Sequence, residues 1–306
     1  MILRKVRTVP VFNKLIRDAL VLVRRSILFL QRRWKISGCV NLSFEGVRFK
    51  YYSRADDSIA DTLFYGNHYI EHASIKAFLN IARLSKVILD IGANTGLYTV
   101  IGAKSNPDAT FYTFEPHPAN CKRLRHNIQL NGLKNVSAFQ QAVGNTNSNI
   151  QFFVPKTGEI IDTSSALQDF SQSTYGGKIS WIDITVGQTT LDNFVEMNSV
   201  SRVDLMKVDV EGYELMVFDG GKKLIEKFRP VIICEIFLND EKRNYFHQFI
   251  KQHGYVTYTI LEEGLVRTDG ELIQNETGLN YLFSTVRAEK VFTPLREVHQ
   301  LIKISV

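Results

Sequence analysis

Asp90, Glu115, Asp209 and Glu235 each stand at or near the end of a short apolar run, and their neighbours narrow what each acid could do. In VILDIGANTGLYTV, Val87 to Val100, Asp90 is followed by Gly92, Asn94 and Gly96. Glycine there permits a tight bend and close approach of a ligand to the backbone, and the second glycine opens a helix. A dinucleotide-binding G-x-G-x-x-G needs glycine where Asn94 stands, and an acid at Asp90 repels phosphate. The stretch therefore suits a ligand with an ammonium group, the bland alternative being a plain strand-to-helix turn. In FEPHP, Glu115 lies 23 residues after Gly92. An acid ending the second strand at about that distance hydrogen-bonds a ribose hydroxyl pair; otherwise it is a charged residue near a helix start. Gln141 and Ala142 close a third apolar run, and topology alone assigns them to an adenine edge.

The remaining acids suggest chemistry rather than binding. DLMKVDVEGYE, Asp204 to Glu214, carries Lys207, Asp209 and Glu211, and VIICE ends in Glu235. Two carboxylates on neighbouring strand ends can serve as a general base, bind an amine or hold a divalent metal. Lys207 interrupts an apolar strand and must be paired there, with Asp209 or Glu235 as partner; the competing reading is a structural buried ion pair. His68 and His72 could line a pocket, but neither spacing nor partners distinguish them from surface or capping histidines.

Several elements must position these side chains. Strands are expected at Val87–Ile91, Thr110–Phe114, Val136–Ala142, Asp204–Val208, Val231–Ile236, Tyr255–Leu261 and Leu279–Ser284. Helices are expected at Glu71–Arg83, Gly96–Lys104, Pro118–Leu130, Glu214–Lys227 and Asp240–His253. Short apolar strands alternating with helices predict an α/β fold, a doubly wound, mostly parallel sheet that binds its ligands at the carboxyl ends of the strands. Val40–Tyr52 reads as a hairpin around Gly46, and Pro155–Gly177 as a long Ser/Thr/Gly-rich loop that shapes an acceptor pocket. The expected organisation is an arm over residues 1–37, a hairpin and lead-in helix over 38–84, the catalytic body over 85–290 and a tail over 291–306.

Charge separates the arm from the body. Residues 1–37 hold ten Lys and Arg against one acid, Asp18, and so carry +9, while the net charge of the 306-residue chain is +6. The body is therefore mildly acidic, and a nucleic-acid-binding surface on it is not implied. Phe12, Ile16, Ala19, Leu20, Val23, Ile27 and Leu30 fall on one helical face, but Arg24 and Arg25 interrupt the apolar run, which is too short to span a bilayer. Two readings stand: a helix packed on protein, and a basic amphipathic helix lying on the inner face of an anionic membrane. No cleavable signal pattern is evident, and Cys39, Cys121 and Cys234 form no CxxC, so a cytoplasmic protein with reduced thiols is expected.

VILDIGANTGLYT, FEPHP, TTLDNF (Thr189 to Phe194) and DLMKVDVEGYE, in that order, resemble the FkbM family of S-adenosylmethionine-dependent methyltransferases. The resemblance spans roughly Glu71 to Ile236. It implies a Rossmann-like class I methyltransferase fold with an antiparallel last strand. It also implies methyl transfer from S-adenosylmethionine to a hydroxyl of a sugar, glycolipid or secondary metabolite. Carried over, Asp90, Gly92, Asn94 and Gly96 form the cofactor turn, Glu115 holds the ribose, and Asp209 and Glu211 edge the active site. With Lys207 and Glu235 tuning it, Asp209 is the expected base, or else the ligand of a divalent metal. The rivals are an NAD-dependent oxidoreductase, disfavoured by Asn94, a metal-dependent nucleotide-sugar transferase suggested by Asp209-x-Glu211, and a binding module without activity.

Overall fold

The computed structural model describes residues 15, 37–54, 58–65, 72–156, 165–167, 181–262, 264–268, 270–273 and 279–285. Apart from Leu15 and Ser37 the arm lies outside them, as do His68, the tail after residue 285 and most of the Pro155–Gly177 segment.

The centre is an eight-stranded sheet. β3 (Val87–Ile91), β4 (Thr110–Phe114), β5 (Val136–Phe139), β9 (Leu205–Val208) and β10 (Val231–Glu235) are parallel, with β3 between β4 and β9. β13 (Asn280–Ser284) inserts antiparallel between β10 and β11 (Val256–Leu261), and β12 (Gly264–Arg267) closes that edge. The expected doubly wound sheet with an antiparallel last strand is the one observed.

Helices cover both faces. On one face pack the hairpin of β1 (Ser37–Phe44) and β2 (Val47–Arg54), α1 (Ser58–Tyr65), α2 (His72–Ala82) and α3 (Leu97–Ser105). Every residue of α3 from Leu97 to Ala103 is buried, so the helix has no polar stripe. Gly102 makes this packing possible, since a Cβ there would lie 2.9 Å from the rings of both Phe111 and Phe78. The opposite face carries α5 (Leu191–Met197), α6 (Glu214–Asp219), α7 (Lys222–Phe228) and α8 (Asp240–His253), while α4 (Pro118–Leu130) packs beside the β3 turn. α8 shows why its residues form a helix. Asn239 caps it by accepting from the Lys242 N–H, Asp240 and Glu241 face its positive end, Phe246, Phe249 and Ile250 form its buried stripe, and Gly254 (φ 61°) ends it.

Two elements are divided differently from expectation. The third strand stops at Phe139, and Ala142–Val143 forms β6 in a separate three-stranded sheet with β7 (Ser148–Pro155) and β8 (Trp181–Thr189). A hydrophobic run does not reveal that its last residues pair elsewhere. The expected helix Glu214–Lys227 is two helices, broken at Gly220 and Gly221 because a Cβ at Gly220 would sit 1.9 Å from the carbonyl oxygen of Gly144. α1, β7, β8, α5 and β12 were not anticipated as elements.

Candidate active site

The carboxyl ends of β3, β4, β9 and β10 form one rim. At β3 the chain turns through Gly92 (φ 79°), Asn94 (φ 52°) and Gly96 (φ 91°), all in the left-handed region. The Gly92 and Ala93 N–H groups both donate to the Phe114 carbonyl, at 3.0 and 2.9 Å. The expectation was that glycine here serves ligand approach. The structure gives a more immediate cause: a Cβ on Gly92 would stand 1.7 Å from the Asp209 carbonyl oxygen, and one on Gly96 would stand 2.4 Å from Leu124 Cδ1. The Asp209 N–H also donates to the Ile91 carbonyl at 3.0 Å. The two strand ends thus touch backbone to backbone, and only glycine fits at their contact.

Glu115 follows β4 and is 5% exposed. The Asn94 N–H donates to its Oε2 and the His117 N–H to its Oε1, each at 2.8 Å. Burial, reinforced by Asp209 and Asp90, outweighs these two bonds and raises its pKa to about 7. Each of its oxygens keeps a lone pair for a further donor such as a ribose hydroxyl.

Asp90 departs from expectation. Its carboxylate is fully buried, facing inward under α3 rather than toward an ammonium group on the rim. Thr99 Oγ1 donates to its Oδ2 at 2.5 Å, while Oδ1 has no hydrogen-bond partner. Strand register sets it between Thr113 on β4 and Lys207 on β9. Burial raises its pKa, opposed chiefly by the Lys207 charge.

Lys207 points under α3, 4.4 Å from the Tyr98 ring centroid, and its Nζ donates to Asp209 Oδ2 at 2.8 Å. Its side chain is 5% exposed and that of Asp209 27%, so the acid is the end a ligand can reach. Glu235, the last residue of β10, is half-buried at the neighbouring strand end, and its side chain is among the groups that hold the Asp209 carboxyl low. Burial pushes the Asp209 carboxyl up, but Lys207 and Glu235 prevail and hold it below the ordinary carboxylate range. Glu211 is half-buried in a left-handed turn (φ 50°) beyond Asp209.

The rim therefore brings together Gly92, Asn94, Gly96, Glu115, Lys207, Asp209 and Glu235, with Glu211 one turn on. Gln141 is half-exposed just past β5, whereas Ala142 is buried in β6 opposite Gln188, part of the smaller sheet. His72 starts α2 beside Glu45 and Phe44 on the hairpin side, away from this rim. The sequence reading missed Asn120, 2% exposed in the first turn of α4 with its Oδ1 unbonded. It also missed Tyr51, whose hydroxyl hydrogen-bonds Thr95 Oγ1 at 2.5 Å and ties the hairpin to the glycine turn. Neither sits in a local pattern that could have signalled it.

The rim fits an adenosyl ligand that carries no phosphate: it offers bare backbone, a carboxylate for a diol, and acids beyond. It does not fit a metal. Among the described residues no three His, Cys, Asp or Glu side chains converge, and the Lys207 ammonium already occupies Asp209.

Residues 90–257 match the methyltransferase FkbM domain. Methyltransferase 1 of Beauveria bassiana is 28% identical over 149 residues, 44% of this chain and 57% of that protein. The 2-O-methyltransferase NoeI of Sinorhizobium fredii is 29% identical over 153 residues, 47% of this chain and 60% of that one. The hexuronic acid methyltransferase AglP of Haloferax volcanii is 26% identical over 163 residues, 53% of this chain and 61% of that one. The matched stretch thus spans about three fifths of each relative's length. Among solved structures, methyltransferase FkbM from Methylobacillus flagellatus aligns at a TM-score of 0.41 and 13% identity over 74% of this chain and 55% of that one, too loosely to argue from.

Proposed function

The chain belongs to the FkbM methyltransferase family, and we propose that it transfers a methyl group from S-adenosylmethionine to a hydroxyl oxygen of a sugar-bearing acceptor. The observation that carries this reading is Asp209: a carboxylate reachable from solvent, held by Lys207 at 2.8 Å, on the strand end that abuts the glycine turn. Family membership supports this reading over the oxidoreductase, nucleotide-sugar transferase and binding-module rivals.

Bound S-adenosylmethionine supplies a methyl group already activated on sulfonium, so the chain's task is alignment and the removal of one proton. Gly92, Asn94 and Gly96 set the turn against which the donor lies, and Glu115 accepts from its ribose. Asp209 accepts the hydrogen bond of the acceptor hydroxyl and takes its proton as the oxygen–carbon bond forms and the carbon–sulfur bond breaks. A carboxylate held low by Lys207 is a weak base. It suffices because the hydroxyl proton becomes strongly acidic once its oxygen is being alkylated. Glu235, at the neighbouring strand end, helps hold the Asp209 carboxyl low.

The acceptor class follows from charge and from the relatives' names. One relative is named for 2-O-methylation and another for a hexuronic acid. Asp209 is the acid a ligand can reach and Lys207 is already engaged with it, so a neutral hydroxyl is favoured over an acidic oxygen. If the basic arm over residues 1–37 lies on an anionic membrane, lipid-linked glycans become natural acceptors; co-sedimentation with anionic and neutral liposomes tests that separately.

The test is transfer of labelled methyl to a panel of sugars and glycolipids. Asp209→Asn is expected to lower turnover by about 10²–10⁴ while calorimetry shows unchanged binding of S-adenosylmethionine. Wild-type turnover in that variant removes Asp209 from the mechanism. Since the donor set does not fit a metal, EDTA should leave the rate unchanged.

A further inference from the structure

Ser165 stands alone with Ala166 and Leu167 as the described part of the segment between β7 and β8, and it is fully buried. Its backbone pairs with Phe153 of β7, N–H to carbonyl at 3.2 Å and carbonyl from N–H at 2.8 Å. Its hydroxyl accepts from the Leu167 N–H at 3.0 Å and donates to the Glu211 carbonyl at 2.6 Å. The receiving turn is strained: Glu211 (φ 50°) and Gly212 (φ 100°) are consecutive left-handed residues. From the opposite side Glu214, salt-bridged to buried Lys242, accepts the Gly212 N–H at 2.8 Å.

We propose that Ser165 is a positioning residue for methyl transfer, the point at which the β6–β8–β7 sheet clasps the Asp209–Tyr213 turn and holds Asp209 and Glu211 toward the acceptor. The inference rests on the methyltransferase reading but concerns a residue to which that reading assigns nothing. The physical reason is geometric. The turn follows directly on Asp209, its backbone is unfavourable for Glu211, and without the hydroxyl the Glu211 carbonyl loses that donor. A displacement of about 1 Å at a reacting group can cost about 10²-fold in rate.

The experiment compares wild type with Ser165→Ala and Ser165→Cys, which keeps a weak donor of similar size, in three measurements. Steady-state kinetics should show Ser165→Ala turning over about 10- to 100-fold more slowly, with Ser165→Cys between it and wild type. Calorimetry should show S-adenosylmethionine binding unchanged in both. Hydrogen exchange should show the Gly212 and Tyr213 amides of Ser165→Ala exchanging faster than in wild type. Unchanged turnover in Ser165→Ala overturns the proposal even if its melting temperature falls, because Ser165 then only staples the small sheet. Weakened cofactor binding at unchanged turnover also overturns it. Should the wild-type protein methylate no acceptor, the proposed function fails and the exchange measurement still decides the clasp: faster Gly212 exchange supports it, and unaltered exchange removes it.

Discussion

The two halves of the rim are built differently. The β3–β4 half is held by backbone: the Gly92 and Ala93 N–H groups on Phe114, the Asn94 and His117 N–H groups on Glu115, and glycines where the chain touches itself. The β9–β10 half is held by side chains and charge: Lys207 on Asp209, Glu235 beside it, Ser165 and the Glu214–Lys242 pair bracing the turn beyond. A backbone-built site is rigid and tolerates few residue types at its bends. A side-chain-built site can be retuned by single substitutions. In the proposed reaction the backbone-built half lies on the donor side and the side-chain-built half on the acceptor side.

The sharpest way to break the comparison is at the contact between the halves. Gly92→Ala places a methyl 1.7 Å from the Asp209 carbonyl at φ 79°, so β3 and β9 must part. A stability loss of at least about 4 kcal/mol is expected by denaturant titration, among the largest single-residue effects. Gly132→Ala is the control. It shares a left-handed φ of 62° but has nothing within 4 Å, so it should cost only about 1–2 kcal/mol. Similar losses for both would mean that Gly92 matters for its dihedral angle and not for the contact.

The next largest effect is expected in the charged half. Lys207→Met removes the cation from Asp209 and Asp90 together, and roughly 3 kcal/mol should be lost at pH 7, the low end for breaking a buried pair because Asp209 keeps 27% side-chain exposure. The pH dependence has a definite sign. The folded pKa of Asp209 is depressed, so its contribution is present above the unfolded value of 3.8 and is lost as pH falls through the folded value. The gap between wild type and Lys207→Met should therefore narrow in acid. A gap independent of pH would mean that lost packing against Tyr98, not charge, accounts for the loss.

The same division explains what could be read from sequence. The β3 turn, Glu115 and the strand ends were legible because their requirements are local: glycine where φ is positive, an apolar run of strand length, an acid at a fixed interval. Asp90 was legible as a strand-end acid but not in its orientation, which depends on Thr99 and Lys207 meeting it from two other elements. Ser165 and Lys242 act on the Asp209–Glu214 turn from 46 and 28 residues away from their respective partners, and no local pattern encodes such meetings. Ala142 was misplaced for a related reason: a strand's last residues can join a different sheet without any change in hydrophobic pattern.

The smallest expected effect sharpens the comparison from the backbone-built half. Glu115 has its pKa raised to about 7 in the folded protein, so its charged form is disfavoured there and its contribution to stability declines as pH rises from about 4.5 to about 7. A ribose diol donating to the carboxylate favours the charged form, so ligand binding should release a proton below pH 7 and tighten as pH rises, levelling off above. Methylthioadenosine is the right probe, because it keeps the ribose and lacks the amino group of S-adenosylmethionine, which titrates near the same pH. Its affinity should fall by up to about tenfold from pH 8 to pH 6, one pKa unit below Glu115. In Glu115→Gln the affinity should be weaker and flat across that range. A flat profile in wild type, or an unchanged slope in the variant, would show that the backbone amides of Asn94 and His117 hold the acid for the fold alone and that the ribose lies elsewhere on the rim.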